Sequence, residues 1–324
     1  MTSETMKAAT ARRYGGPEVM AIEVLPRPVP GPGQVLVKVA AFGVTRGDTR
    51  IRGLDVPRGM GLMVRAIFGW TRPRRPVPGR ELAGAIAALG PGVSGWTVGE
   101  AVLGITDGMT LGAGAEYAVI TADKMLARRP ATLTEAEAAA LPFGLMTAAD
   151  FLIDQMALQP GERLLVNGAS GAVGLAALWL GAHLGAEVTG VASPANHAAM
   201  QDAGAHRTAD YARPLPPGPY DAILDVAGTL PYAKAAPLLA PGGRLGVVTA
   251  DLAGQIGAGI RSKRGSHRLC AGVIKERPET LARVLDLHAQ GYRPSVTTLP
   301  LAEIVEAHRL ASSGHKRGNV VVTL

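Results

Sequence analysis

Cysteine is almost absent from this chain of 324 residues: Cys270 is the only one. A disulfide within the chain is therefore excluded, and so is a structural zinc site built on several thiolates. The scarcity suits a reducing compartment. Aromatic residues make up only 4%, so the core has to be aliphatic. No apolar run reaches the roughly 18 residues of a membrane span, and the longest, Gly171 to Gly185, is interrupted by His183. The segment Met1 to Lys7 is polar and lacks the apolar region of a secretory signal. The expectation is a cytoplasmic protein with no membrane partner.

What is present points to a globular chain. Apolar residues reach 47% and charged ones 18%. At roughly 100–200 residues per domain, two domains are expected. The 42 glycines and 24 prolines are dispersed, which suggests many short connections. The net charge is +7. Nine arginines fall between Arg46 and Arg80, opposed before Glu81 only by Asp48 and Asp55. With its Gly, Pro and Trp70, that stretch reads as a long irregular flap. It is either a solvated basic loop or an electropositive rim for an anionic cofactor or substrate. No nucleic-acid fold signature accompanies the charge, so no nucleic-acid partner is expected.

The first third reads as short strands punctuated by turns: 35–41 after Pro30-Gly31-Pro32-Gly33, then 82–89, 98–104 and 115–120. This pattern suggests a compact, barrel-like β domain. Past Leu126 the period changes. Thr134 and Glu137 form a capping-box pattern that opens a helix, Pro142 is expected to interrupt it, and a second helix follows over 147–156. Strands at 163–166, 187–192, 220–226 and 244–249 then alternate with helices at 173–184, 197–203 and 232–239. Such alternation predicts a doubly wound parallel sheet. The tail adds a strand at 269–274, helices at 278–290 and 301–312, and a strand at 319–324.

The strongest chemical signal is the strand Leu164-Leu165-Val166 running into Gly168-Ala169-Ser170-Gly171-Ala172-Val173-Gly174. The spacing is a variant of the dinucleotide fingerprint. Gly168 allows a tight turn, Gly171 lets backbone N–H groups approach a pyrophosphate, and Gly174 lets the helix pack on the strand. The helix N-terminus adds a partial positive charge. The second strand ends Ser193-Pro194-Ala195-Asn196-His197 without the acid that commonly holds the ribose 2′-hydroxyl of NAD. Ser193, Asn196 and His197 can donate hydrogen bonds there. NADPH is expected over NADH, although the loop holds no Lys or Arg.

These motifs, taken in order, resemble the medium-chain dehydrogenase/reductase superfamily, in particular its zinc-free quinone oxidoreductase branch. Pro30–Val39 looks like the family's opening strand and Gly43–Asp48 like its active-site loop. Gly79–Gly84 matches G-x-E-x-x-G. Leu141-Pro142 with Thr147-Ala148 matches the entry to the cofactor domain, and Ser313–Val321 the closing turn and strand. The resemblance implies a GroES-like β-rich catalytic domain over 1–126 and 276–324, a Rossmann domain over 127–275, and an active site in the cleft between them. It places Thr45 and Asp48 on the floor of the site, Thr147 near the nicotinamide ribose, Val248 and Thr249 at the carboxamide, and Tyr211 near the 2′-phosphate. A blander role for Asp48 is pairing with Arg46 or Arg80, and Glu81 reads as a buried structural carboxylate. The enolate would be protonated by Thr45 with a ribose hydroxyl, or by water.

The departures from the family's zinc enzymes matter too. Thr45, Arg80 and Phe143 stand where those enzymes carry zinc ligands, so no metal is expected. The resemblance therefore implies an NADPH-dependent reductase of a quinone or an α,β-unsaturated carbonyl compound. A biosynthetic tailoring reductase is an alternative, its substrate wrapped by Met60–Met63, Phe68 and Trp70, as is a non-catalytic NADPH-binding protein. A homodimer joined through Leu269–Ile274 is also implied.

Overall fold

The computed structural model describes residues 4–56, 59–107, 110–249, 266–272, 274, 276–314 and 316–324. Val273, Lys275 and His315, which fall in the expected edge strand, domain boundary and closing turn, lie outside them. The chain divides into two compact units. The first comprises Met1–Val56, Gly61–Phe143 and Glu276–Leu324, and the second Pro57–Met60 and Gly144–Lys275.

In the first unit, β1 (Thr5–Ala11) and β2 (Met20–Pro26) form an antiparallel pair. The longest strand, β3 (Gln34–Val44), is introduced by the Pro-Gly turn and pairs antiparallel with β4 (Glu81–Leu89) and β6 (Tyr117–Thr121). Next to β4 lies β5 (Ala101–Ile105), and β7 (Leu126–Arg128) closes that side. The β-branched and aliphatic residues of these strands interleave in one core that includes Val37, Leu82, Val102 and Ile120.

The stretch between β3 and β4 is not an irregular flap. It carries two short helices, α1 (Arg46–Gly53) and α2 (Gly61–Phe68). A capping box starts α1, and α2 forms where the run from Leu62 to Phe68 is free of Gly and Pro.

A second correction concerns Pro142. Helix α3 (Glu135–Ala149) passes through it and continues in π geometry over Asp150–Gln155. Proline removes one donor from the ladder, and the following N–H, of Phe143, donates to the Glu81 side chain. The capping box at the start is present, with Glu137 accepting from Thr134 N at 2.9 Å. The continuous span Glu135–Gln155 has 21 residues and is long and apolar enough to cross a membrane, unlike any run expected from the sequence. Of its most apolar window 78% is buried within the fold, as in a core helix.

The second unit is built on β8 (Arg163–Asn167), β9 (Glu187–Ala192), β10 (Arg207–Asp210), β11 (Tyr220–Asp225), β12 (Leu239–Val247) and β13 (Arg268–Ala271). All pair in parallel, in the order β10-β9-β8-β11-β12-β13. Helices α4 (Ala172–His183), α5 (His197–Asp202) and α6 (Tyr232–Ala235) belong to the crossovers. This is the doubly wound dinucleotide-binding architecture. Its core is aliphatic, with Leu165, Val191, Ile223 and Leu245 packed around the buried ring of Tyr220.

The chain then completes the first unit with α7 (Pro278–Ala289), β14 (Val296–Pro300), α8 (Ile304–Ser312) and β15 (Asn319–Thr323). β15 inserts antiparallel against β3 and parallel to β14, giving the order β14-β15-β3-β4-β5-β7.

Candidate active site

In the second unit the residues expected at a dinucleotide gather at the carboxyl ends of the parallel strands, where open α/β sheets bind ligands. β8 ends at Asn167, and Gly168 follows with φ of 80°, a conformation a side chain would strain. Gly171 is the N-cap of α4 and carries no side-chain cap, so the first N–H groups of the helix keep their donors for a ligand. A Cβ at Gly171 would meet nothing nearer than Gly168 O at 3.9 Å, whereas one at Gly174 would sit 2.4 Å from Gly168 O. The open space at Gly171 and the close approach at Gly174 make a cradle that fits a pyrophosphate, with Ala169, Ser170, Ala172 and Val173 completing the loop.

Sequence reasoning missed what holds this loop. Asn167 Nδ2 donates to Asp225 Oδ1 at 2.8 Å and to Thr229 Oγ1 at 2.9 Å. Asp225, only 1% exposed, also accepts from Gly228 N and Leu230 N, both at 2.9 Å. The signal was a carboxylate closing an apolar strand, a buried charge that needs several donors.

The remaining cofactor-side residues fall as follows. Asn196 is buried and donates to Ser193 Oγ at 3.0 Å. His197 opens α5, with a buried Nε2 that finds no partner among the described residues. Tyr211 is exposed just beyond β10 and donates its N–H to Ala192 O at 3.3 Å. Asp210, the register partner of Ala192, accepts from Ala212 N at 2.9 Å. Val248 N donates to Asp225 O at 3.0 Å, and the Thr249 hydroxyl lies over Gly228. Thr147 is buried within α3.

In the first unit, Thr45 and Asp48 are bonded to each other as the capping box of α1. Asp48 Oδ2 accepts from Thr45 N at 2.8 Å and Thr45 Oγ at 2.7 Å, and Thr45 Oγ accepts from Asp48 N at 3.3 Å. Asp48 Oδ1 accepts from Gly79 N at 3.2 Å. Burial pushes the Asp48 carboxyl up, while the donors from Thr45 and Gly79 pull it back. The blander role of Asp48 does not hold as a direct ion pair, because Arg46 and Arg80 bond elsewhere, although the Arg80 charge still pulls on the carboxyl. Arg46 donates to Ser312 O at 2.8 Å. Arg80 grips Glu276 with two bonds of 2.7 and 2.6 Å.

Glu81 is 3% exposed and accepts from Phe143 N at 2.5 Å. Burial, with Asp48 nearby, pushes its carboxyl well above the usual carboxylate range. Burial likewise pulls the Lys316 ammonium down to about 8, against the pull of Glu81 and Asp48. Zinc does not fit the positions that ligate it in the zinc enzymes. The Arg80 guanidinium, locked to Glu276, has no lone pair to offer, and the Phe143 ring is not a ligand. Among the described residues no group of three or more His, Cys, Asp or Glu could hold a metal ion.

Comparison with known proteins finds the chain similar to dehydrogenases and quinone oxidoreductases. A family model described as an alcohol dehydrogenase GroES-like domain matches residues 31–131, and one described as a zinc-binding dehydrogenase matches residues 197–322. The chain is 26% identical over 343 residues to the chloroplastic quinone-oxidoreductase QR1 of Triphysaria versicolor, covering 99% of each. It is 31% identical over 349 residues to the pikromycin polyketide synthase component PikAII of Streptomyces venezuelae, of which it spans 8%. The solved quinone oxidoreductase from Coxiella burnetii superposes with a TM-score of 0.87 at 24% identity, over 99% of this chain and 100% of that one.

Proposed function

The chain belongs to the medium-chain dehydrogenase/reductase superfamily, on its quinone oxidoreductase branch, and from that premise we propose that it is an NADPH-dependent, metal-independent reductase of a quinone or an α,β-unsaturated carbonyl compound. The observation that carries the reading is the cradle of Gly168 to Gly174, open above Gly171 and braced by Asn167 and Asp225. When bound, the reduced nicotinamide supplies a hydride.

The chain's own residues bind and orient. The N-terminus of α4 receives the pyrophosphate. Ser193, Asn196, His197 and Tyr211 receive the 2′-phosphate, on a loop that carries no carboxylate to repel it. The nearby Asp210 is engaged by Ala212 N, and Arg213, two residues past Tyr211, adds a positive charge. Val248 and Thr249 offer backbone groups to the carboxamide, and Thr147 contacts the ribose. Hydride delivered to the β-carbon of an enone leaves an enolate that needs only hydrogen-bond donors, not a Lewis acid. Thr45 and Asp48 form the floor of the site, and because their donors are spent on each other, water hydrogen-bonds that oxygen. The Thr45 proton is already shared with Asp48, so water supplies the proton at the α-carbon.

The test is oxidation of NADPH by the purified protein with a panel of small quinones and enals, before and after exhaustive chelation. Turnover that chelation leaves unchanged supports the reading, and binding of NADPH without turnover on any acceptor refutes it. Cofactor choice has its own expected outcome. NADPH binds roughly ten- to a hundredfold tighter than NADH, the equivalent of one or two charge-assisted hydrogen bonds. Ser193→Asp abolishes or reverses that preference in a fluorescence titration, because a carboxylate there repels the phosphate.

A further inference from the structure

Beside Asp48, within the first unit, lies a cavity of about 250 Å³, just below the usual size of ligand pockets and large enough for a short arm. Its apolar walls include Ile51, Ile67, Phe68 and Leu111, and its charged lining is Asp48, Arg52, Arg74 and Arg75. The charge on that lining is lopsided. Arg52 is 5% exposed, with Nε donating to Gly15 O and Nη2 to Ser312 Oγ, each at 3.2 Å. Its Nη1 is buried with no partner among the described residues, a costly unused donor on a residue that lines the pocket. Arg74 and Arg75 are exposed, and neither side chain is held by an ion pair among the described residues. From Val56 to Arg80 the sequence contains no acid. Asp48 is the one carboxylate on the lining, and Thr45 and Gly79 already occupy both of its oxygens.

We propose that this cavity is the tail site of the substrate, and that it selects an enone or quinone whose short apolar arm ends in an anion, a carboxylate or a phosphate, gripped by Arg52, Arg74 and Arg75. The apolar walls cover the arm, and the guanidinium forks match a planar carboxylate or a phosphate face. Arg74 and Arg75 at the rim raise the local concentration of anionic substrates. The inference rests on the reductase reading of the same site and deepens it by naming a substrate class.

Three acceptors that share one enone and differ only at the far end of the arm provide the test: a carboxylic acid, a phosphate monoester and a methyl ester. With the full chain and NADPH, kcat/KM for an anionic acceptor exceeds that for the ester at least tenfold, or about 1.4 kcal/mol. The acid and phosphate arms show which anion is preferred. The advantage shrinks in 0.5 M salt, about threefold above physiological ionic strength, where exposed charges are screened. The double variant Arg74→Glu, Arg75→Glu lowers the ratio of anionic to ester kcat/KM about tenfold, through KM. Equal kcat/KM for all three acceptors with the wild-type chain overturns the proposal. If no acceptor is reduced, the reductase reading fails instead, and calorimetric titration with the saturated acid and its methyl ester decides the pocket alone. Binding of the acid only sustains the tail site, and binding of both equally, or of neither, overturns it.

Discussion

A buried histidine on a helix packed against α1 shows how the first unit handles charge. His308 on α8 is 1% exposed, and its Nδ1 has no hydrogen-bond partner among the described residues. Burial, reinforced by the charge of Arg52, pulls the imidazole down to about 3 from its ordinary 6.5. The unfolded chain therefore binds more protons than the folded one between those two values, and stability rises with pH across that window and is complete above it. A shift of that size corresponds to several kcal/mol, on the order of 1.4 per pH unit. Acidification should destabilise the chain in part through this ring. His308→Leu removes the titrating group and its unsatisfied nitrogen together. It should lower the midpoint of acid unfolding, followed by circular dichroism, and change stability at pH 8 by less than about 2 kcal/mol. A variant that unfolds at the same pH as the parent would place acid sensitivity elsewhere. Nothing in the sequence around His308 marks it: an amphipathic helix carries a histidine at a core position as readily as at a surface one, and it is burial, reinforced by the charge of Arg52, that makes it labile.

At the scale of elements, the loop between β8 and α4 makes the sharpest demands. A Cβ at position 174 would meet the backbone of Gly168 and Ala169 at 2.4 to 2.6 Å, and backbone cannot step aside cheaply. Gly174→Ala should therefore cost about 1–3 kcal/mol in stability, as overpacking does, and displace the cradle as well. At position 171 the same methyl finds open space, so Gly171→Ala should keep its melting temperature within a few degrees. It should nonetheless weaken NADPH at least tenfold by filling the volume the pyrophosphate needs. Differential scanning fluorimetry with and without NADPH separates the two effects, and a Gly171→Ala variant that binds as tightly as the parent would move the phosphates off this loop. The glycine spacing made this element legible in the sequence, because strand, turn and helix each leave a different local pattern. Two other elements were not legible. The helix through Pro142 reads as broken, since local sequence does not show that Glu81 waits to accept the next N–H. The two helices in the arginine-rich stretch read as loop, because the Thr45–Asp48 capping box is hidden among glycines and charges. The same opacity applies to the site: Thr45 and Asp48 are readable as a pair of polar residues on a loop, but not that they spend their hydrogen bonds on each other.

For the whole molecule, the question the sheet raises is what covers its last strand. β13 pairs with β12 on one side, and no strand among the described residues pairs with its other edge. Its sequence, Arg268-Leu269-Cys270-Ala271, has a single charge and no proline, so little discourages pairing with another chain. A twofold axis at that edge would continue the sheet into a second copy and satisfy both rows of backbone groups at once. Opposing this is a net charge of +7 on each chain, whose repulsion is strongest when salt is low. The expectation is a homodimer of about twice 33.3 kDa at micromolar concentration, with dissociation favoured by dilution at low ionic strength and opposed by added salt. Light scattering coupled to size exclusion measures both the mass and its salt dependence. A mass of one chain at micromolar concentration in physiological salt would mean that the edge is protected some other way. A dimer that salt weakens would mean that ion pairs, and not the backbone edge, hold the two copies together.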